Sequence, residues 1–325
     1  MRHRLLLAGV TLACCAVPAA SARGDGLPIL NIPGATNGVR SHDGAYRYVA
    51  APHGRTTTVK AIAMSGVLSV VLAGRFDVPV VAYDGSPSGL SADGRTLVLI
   101  APRRTFPQRS TELAVLDAST LRRRALVPLR GDFSFDAISP SGAWVYLIQY
   151  TSAVDPTQYR VRALNLGTGR LLSADIVDPH DRGEHMHGNP LTRISSPDGR
   201  WAYTLYDGNG LPFVHALDTA GRRARCIDVA VLPVGANPWS ARLTLTGQRL
   251  AVVLGGQTLT TIDTRSLAVL ASGHPAPRRR APVKAAAQAH TMWAAIPIAA
   301  FALVAIAILV IRRRVAPVPP QAPTR

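Results

Sequence analysis

The densest set of metal-capable side chains in the sequence is Asp178, His180, Glu184, His185 and His187, gathered in one segment between Asp178 and Pro190. Imidazole and carboxylate groups at that density are what zinc or copper takes. In an extended segment His185 and His187 project to the same side, and Glu184, Asp178 or His180 would complete the set. A solvated polar loop is the competing reading, because proline and glycine flank the histidines and no second cluster occurs elsewhere. The expectation is therefore no resident cofactor, with zinc or copper as the candidates for this segment.

Two further groups could hold a ligand. Arg103, Arg104 and Arg109 have the planar donors that grip a carboxylate or phosphate, or they are solvated charges. Asp155 and Asp207, with Asn209, offer oxygens suited to calcium, although Asp207-Gly208-Asn209-Gly210 also reads as a plain hairpin turn. Ser, His and Asp are present, yet no Gly-x-Ser-x-Gly, His-Glu-x-x-His or phosphate-loop pattern appears, so no catalytic residue is assigned.

Something must position these groups, and the sequence repeats it. Ser41-His42-Asp43-Gly44, Ser91-Ala92-Asp93-Gly94, Ser139-Pro140-Ser141-Gly142, Ser196-Pro197-Asp198-Gly199 and Leu245-Thr246-Gly247 recur roughly every 50 residues. Asp or Ser bonds its own backbone a residue or two on, and Gly takes the positive φ of a tight reversal. Runs of β character follow, such as Trp144-Val145-Tyr146-Leu147-Ile148 and Trp201-Ala202-Tyr203-Thr204-Leu205. A second strand ends in a polar turn in four units, at Asp117, Asn165, Asp218 and Asp263. With a strand leading into each glycine turn, the pattern predicts an all-β chain: a five-bladed β-propeller of four-stranded antiparallel blades over residues 23–273. The first unit is least regular, and residues 56–64 and 67–73 must supply its third and fourth strands. A sixth blade there, or an open arc that closes on a partner, is the alternative.

Ser196-Pro197-Asp198-Gly199-Arg200-Trp201 and Leu217-Asp218-Thr219 resemble the repeat of TolB-type and YVTN-type propellers, in the broad WD-repeat-like group. The resemblance covers about residues 30–272 and implies architecture, not activity. Residues 133–229 are also similar to secreted, membrane-anchored actinobacterial propeller proteins, which implies a compartment. The last turn, Thr246-Gly247-Gln248, lacks the acidic residue of the pattern.

The ends of the chain point the same way. Met1-Arg2-His3-Arg4, an apolar stretch and Ala20-Ser21-Ala22 predict a secretory signal peptide over residues 1–22, with lipidation at Cys14 or Cys15 as the rival. Residues 292–311 form an apolar run of about 30 Å as a helix, which matches the hydrocarbon core and predicts one C-terminal transmembrane helix. Residues 274–291 read as a Pro/Arg/Ala-rich stalk and 312–325 as a cytoplasmic tail that opens on three arginines. The net charge of +17 is concentrated in these ends, which carry ten basic and no acidic residues. A basic ring without a nucleic-acid module excludes nucleic acid as the expected partner. Cys226, the one thiol outside the signal segment, sits in an apolar strand as a small hydrophobe.

In a propeller of this connectivity the short repeated turns share one face, and the long unlike loops, residues 102–111, 151–158, 178–190 and 207–212, share the other. Function concentrates where loops are long and unlike one another. The expectation is a single-pass cell-membrane protein whose extracellular propeller binds a protein, glycan or envelope ligand; a metal-assisted secreted hydrolase or lactonase is the alternative. Protease added to intact, wall-stripped cells should digest residues 23–273 and spare the tail. Survival of the propeller with loss of the tail would reverse the orientation.

Overall fold

The repeated turn builds itself from local bonds. Ser41 Oγ donates to Asp43 at 2.6 Å and accepts the Tyr46 N–H at 2.9 Å, while Asp43 accepts the Ala45 N–H at 3.0 Å. The same bonds recur at Ser91 with Asp93 (2.5 Å) and at Ser196 with Asp198 (2.5 Å). In the third unit Ser139 still accepts the Trp144 N–H at 3.0 Å, but Ser141 stands where the others have aspartate. Gly142 and Gly199 are fixed twice over. Their φ values are +72° and +68°, and a Cβ would lie 2.4 Å from Thr96 and 2.5 Å from Ala92, so these turns close directly onto the second unit.

The computed structural model describes residues 38–272 except 157, 181–185, 230–231 and 234–235. The expected signal peptide (1–22), stalk (274–291), membrane helix (292–311) and tail (312–325), and the residues Glu184 and His185, lie outside the described residues. No helix among the described residues is long and apolar enough to cross a membrane.

Five consecutive antiparallel sheets follow the chain. The first holds β1 (Val39–Arg40), β2 (Arg47–His53), β3 (Thr56–Ala63) and β4 (Gly66–Ala73); the second holds β5 (Thr96–Ile100), β6 (Ser110–Asp117) and β7 (Arg123–Arg130). The third is β8 (Phe133–Ile138), β9 (Trp144–Tyr150), β10 (Tyr159–Asn165) and β11 (Arg170–Asp175). The fourth is β12 (Pro190–Ser195), β13 (Trp201–Tyr206), β14 (Phe213–Asp218) and β15 (Arg223–Asp228). The fifth is β16 (Arg242–Thr246), β17 (Arg249–Leu254), β18 (Gln257–Asp263) and β19 (Val269–Ser272). Each strand pairs with its sequence neighbour, as in successive propeller blades.

The second sheet departs from the expected four strands. Its inner position is taken by residues 77–91, which pair with β5 through isolated bridges, Asp77 to Ile100 and Leu90 to Leu97, and not through a continuous ladder. Pro79 and Pro87 lack ladder donors, and Gly85 and Gly89 take φ values of +85° and +101°, so a regular strand cannot form there. The segment bonds elsewhere. Tyr83 N–H donates to the Pro190 carbonyl at 2.9 Å and Asp84 N–H to the Leu191 carbonyl at 3.2 Å, which ties the second sheet to the inner strand of the fourth.

Four apolar cores fill the spaces between successive sheets. Val59, Leu97 and Leu116 lie between the first and second; Val98, Phe133 and Leu147 between the second and third. Tyr146, Ala163 and Leu217 lie between the third and fourth; Tyr203, Leu250 and Ile262 between the fourth and fifth. Among the described residues no such core joins the fifth sheet to the first.

Because the third turn lacks its carboxylate, Ser141→Asp should restore the missing acceptor and raise stability by about 0.5–1 kcal/mol, while Asp198→Ala should lower it by about 0.5–2 kcal/mol. Urea unfolding of both variants against the parent checks the pair; equal shifts in the same direction would contradict the turn chemistry.

Candidate functional site

Strand β8 alternates sharply. Phe133 and Phe135 enter the apolar core, and Asp132, Ser134 and Asp136 occupy the intervening positions. Each aspartate is met by an arginine from a different sheet. Arg103, from the loop after β5, pairs with Asp132 and also donates to Ser134 Oγ at 2.9 Å and the Phe133 carbonyl at 3.3 Å. Arg193, on β12, pairs with Asp136 and donates to the Asp136 carbonyl at 3.0 Å and to Thr204. In both pairs the arginine side chain is 4% exposed and the aspartate 3%. Removing one partner of a buried pair leaves an uncompensated charge, at a cost of about 3–5 kcal/mol.

Beside these pairs lies a small recess of about 30 Å³, lined by Ser134, Asp136, Tyr150, Tyr159, Pro190 and Tyr206 among others. The Asp136 Oδ2 has no hydrogen-bond partner there, and the Tyr159 hydroxyl stands against that of Tyr206. That volume takes a water molecule or a small donor group. Aromatic rings pack around it: Phe106 and Tyr150 meet edge to face at 5.5 Å, Tyr150 and Tyr159 at 6.2 Å, and the Arg103 guanidinium lies 4.9 Å from the Tyr150 ring centre. Burial pushes the Tyr150 hydroxyl up to about 12, with Arg103 opposing, so all its hydrogen-bonding at neutral pH is as a phenol. Near the recess Tyr83 and Trp239 form an edge-on pair at 5.2 Å and remain 38% and 40% exposed.

The opposite end of the axis has a wider cavity of about 190 Å³ among the repeated turns, lined by His42, Ser91, Ser195, Pro197 and Gly199, with Arg193 in its wall. The Arg193–Asp136 pair thus stands between the two cavities, each of which it lines with one partner.

The residues singled out from sequence fall as follows. Arg103 is committed to Asp132, whereas Arg104 and Arg109 are exposed. Asp155 accepts from Gln158 Nε2 at 2.9 Å within its own loop. Asp207 receives the Asn189 N–H and side-chain amide, both at 2.8 Å, and so ties the 178–190 link to the 207–210 turn. His180, 66% exposed, stands 3.0 Å from Asp178 and 2.9 Å from Arg225. Asp178 also receives the Cys226 N–H at 2.8 Å, and Cys226 is half-buried rather than fully enclosed. His187 lies against the Phe213 ring at 6.2 Å. Among the described residues no three histidine, cysteine or carboxylate groups gather as a metal site. Tyr83, Tyr150, Tyr159, Tyr206 and Trp239 were not singled out by sequence; Tyr150, Tyr159 and Tyr206 directly flank the long loops, which was the available signal, whereas Tyr83 and Trp239 lie outside those loops and carried none.

Five antiparallel sheets, each paired in sequence order and preceded in most cases by the same Ser-x-Asp-Gly turn, are the architecture of β-propeller blades. No family model and no curated protein sequence matches the chain. Among solved structures the chain is similar to a functionally unknown protein from Desulfotomaculum acetoxidans, at 14% identity and a TM-score of 0.42, covering 71% of this chain and 66% of that one. It is also similar to TolB from Acinetobacter baumannii, at 15% identity and a TM-score of 0.38, covering 68% and 51%. A β-propeller domain from Myceliophteria thermophila matches at 14% identity and a TM-score of 0.39, covering 71% and 66%. The chain thus spans less than two thirds of the length of the first two of these proteins.

Two buried groups give the fold a pH dependence of mixed sign. His215, on β14, has neither ring nitrogen bonded, and burial lowers its pKa from 6.5 to about 4. Its contribution is complete above pH 6.5 and is lost as the pH falls toward 4, because the unfolded chain takes the proton first. Asp77 goes the other way: burial raises it from 3.8 to about 6, with Arg75 opposing, so the folded chain takes the proton first and gains stability as the pH falls through 6. Asp77→Asn should therefore be more stable at pH 7, by up to ~3 kcal/mol, and should lose stability more steeply on acidification than the parent. Urea unfolding at pH 7 and pH 4.5 checks both; a parallel shift at the two values would mean that Asp77 does not titrate as described.

Proposed function

We propose that this chain is a membrane-anchored extracellular binding module, held by residues 292–311, whose contact surface is the long-loop face. One observation carries the reading: an exposed Tyr83–Trp239 pair stands near a tyrosine-lined recess in which an Asp136 oxygen has no partner. Tyrosine and tryptophan supply large, rigid contact area with a polar tip, which is why they dominate binding surfaces. An acceptor without a donor in a recess favours a ligand that brings an N–H or O–H group. The repeated turns of the other face are explained by folding alone. The ligand class is a protein or an envelope glycan.

Envelope material captured on the immobilised chain tests this. Tyr83→Ala and Trp239→Ala should each reduce capture several-fold, and His42→Ala, on the repeated-turn face, should leave it unchanged. The reverse pattern places the contact on the wrong side. Stoichiometric zinc or copper on the purified chain, lost in His185→Ala/His187→Ala, would favour the metal-assisted hydrolase reading instead.

A further inference from the structure

Among the described residues the outermost strand of each sheet has no further ladder partner and offers its backbone groups to a passing strand, and most of these edges are protected. β7 carries Arg123, Arg124, Arg130 and Pro128; β11 carries Arg170 and Asp175; β15 carries Arg223, Arg225 and Asp228. β19 is only four residues long, and its ladder shifts register. β4 has none of these devices. Its sequence Gly-Val-Leu-Ser-Val-Val-Leu-Ala contains no charge and no proline, and all eight residues pair with β3 without a break. Val67, Leu68 and Val71 are 58%, 41% and 67% exposed, and Met64 in the adjoining turn is fully exposed.

The ladder fixes which groups are available. A two-residue loop joins Ala63 to Gly66, and the Gly74 N–H donates to the Arg55 carbonyl at 2.9 Å. With the alternation of an antiparallel ladder, Gly66, Leu68, Val70 and Leu72 direct their backbone groups to β3, and Val67, Ser69, Val71 and Ala73 direct theirs outward. This outward set is self-complementary about Ser69. We propose that β4 pairs antiparallel with β4 of a second copy of this chain, around a two-fold axis through Ser69. Ser69 then faces its own copy, and Val67 faces Val71 of the other chain on both sides, with about six backbone hydrogen bonds across the seam. The other two apolar neighbours, Leu68 and Val70, face each other on the opposite surface.

Charge selects this occupant among the edges. Self-pairing of β7 or β15 would bring the arginines of both chains to one seam, whereas β4 meets its copy without a charge on either side. The pairing is isologous, so it consumes both edges and stops at a dimer. Edge contact alone buries less than the ~1,000 Å² of a stable interface, so the association is reversible and a covalent trap is the suitable probe.

The test is Ser69→Cys in the full chain, purified in mild detergent and oxidised, with the parent and its native cysteines as background and Arg124→Cys on β7 as an exposed-edge control. Ser69→Cys should yield cross-linked dimer many-fold above both. Adding Val71→Lys, at a position exposed enough to leave the fold intact, should return cross-linking to background. Cross-linking that persists with Val71→Lys, or equals that of Arg124→Cys, overturns the proposal. So does a Ser69→Cys chain that stays monomeric, whether a strand of another protein or residues 27–33 of the same chain hold the edge.

Discussion

Three sheets are locked to one strand. Asp132, immediately before β8, meets an arginine from the second sheet and Asp136, within it, an arginine from the fourth, both pairs almost wholly shielded from water. A buried ion pair contributes little net stability over apolar packing, but a broken one is costly, so such pairs act through what they exclude. Any slip of β8 by one residue would turn both aspartates into the apolar core and both phenylalanines out of it. The register of the third sheet, and the placement of its neighbours, is therefore specified by charge as well as by shape.

That lock also divides the axis. Arg193 approaches from the side of the repeated turns and Asp136 from the side of the long loops, so the two cavities differ in character. One is wide and walled by serines, turn backbone and an arginine; the other is narrow and walled by tyrosines around a carboxylate. His215 lies behind this arrangement, opposite Thr204 on β13, to which Arg193 also donates. Its burial without a partner makes the centre of the fourth sheet sensitive to acid.

Much of the fold was legible because its determinants are local. The Ser, Asp and Gly of the first, second and fourth turns bond within five residues, so their spacing alone announces the units. The third and fourth strands of the irregular first unit were readable from residues 56–64 and 67–73, and they form β3 and β4. The inner strand of the second unit was expected by analogy with the others. Its two prolines and two positive-φ glycines prevent that ladder. The ion pairs were invisible for a different reason: Arg103 and Asp132 are 29 residues apart, and Arg193 and Asp136 are 57. Arg103 read as a ligand-gripping surface charge because nothing nearby in sequence announces the carboxylate that occupies it. The tyrosines of the recess were likewise ordinary strand residues until the blades brought them together.

The segment that replaces a strand in the second sheet sets an order on assembly. Ser86 bonds the Arg193 carbonyl across 107 residues of chain, and Tyr83 and Asp84 bond β12 nearby. A chain that emerges from its amino end must therefore hold residues 77–91 without their final partners until the fourth sheet has been delivered. Contacts of that separation carry a large loop-closure entropy and slow the last stage of folding. During that interval the uncovered centre of the array exposes Val80, Val81 and Leu90 to whatever is near. Completion of the core therefore waits on the fourth sheet, and folding ends no sooner than the chain that supplies it has been made.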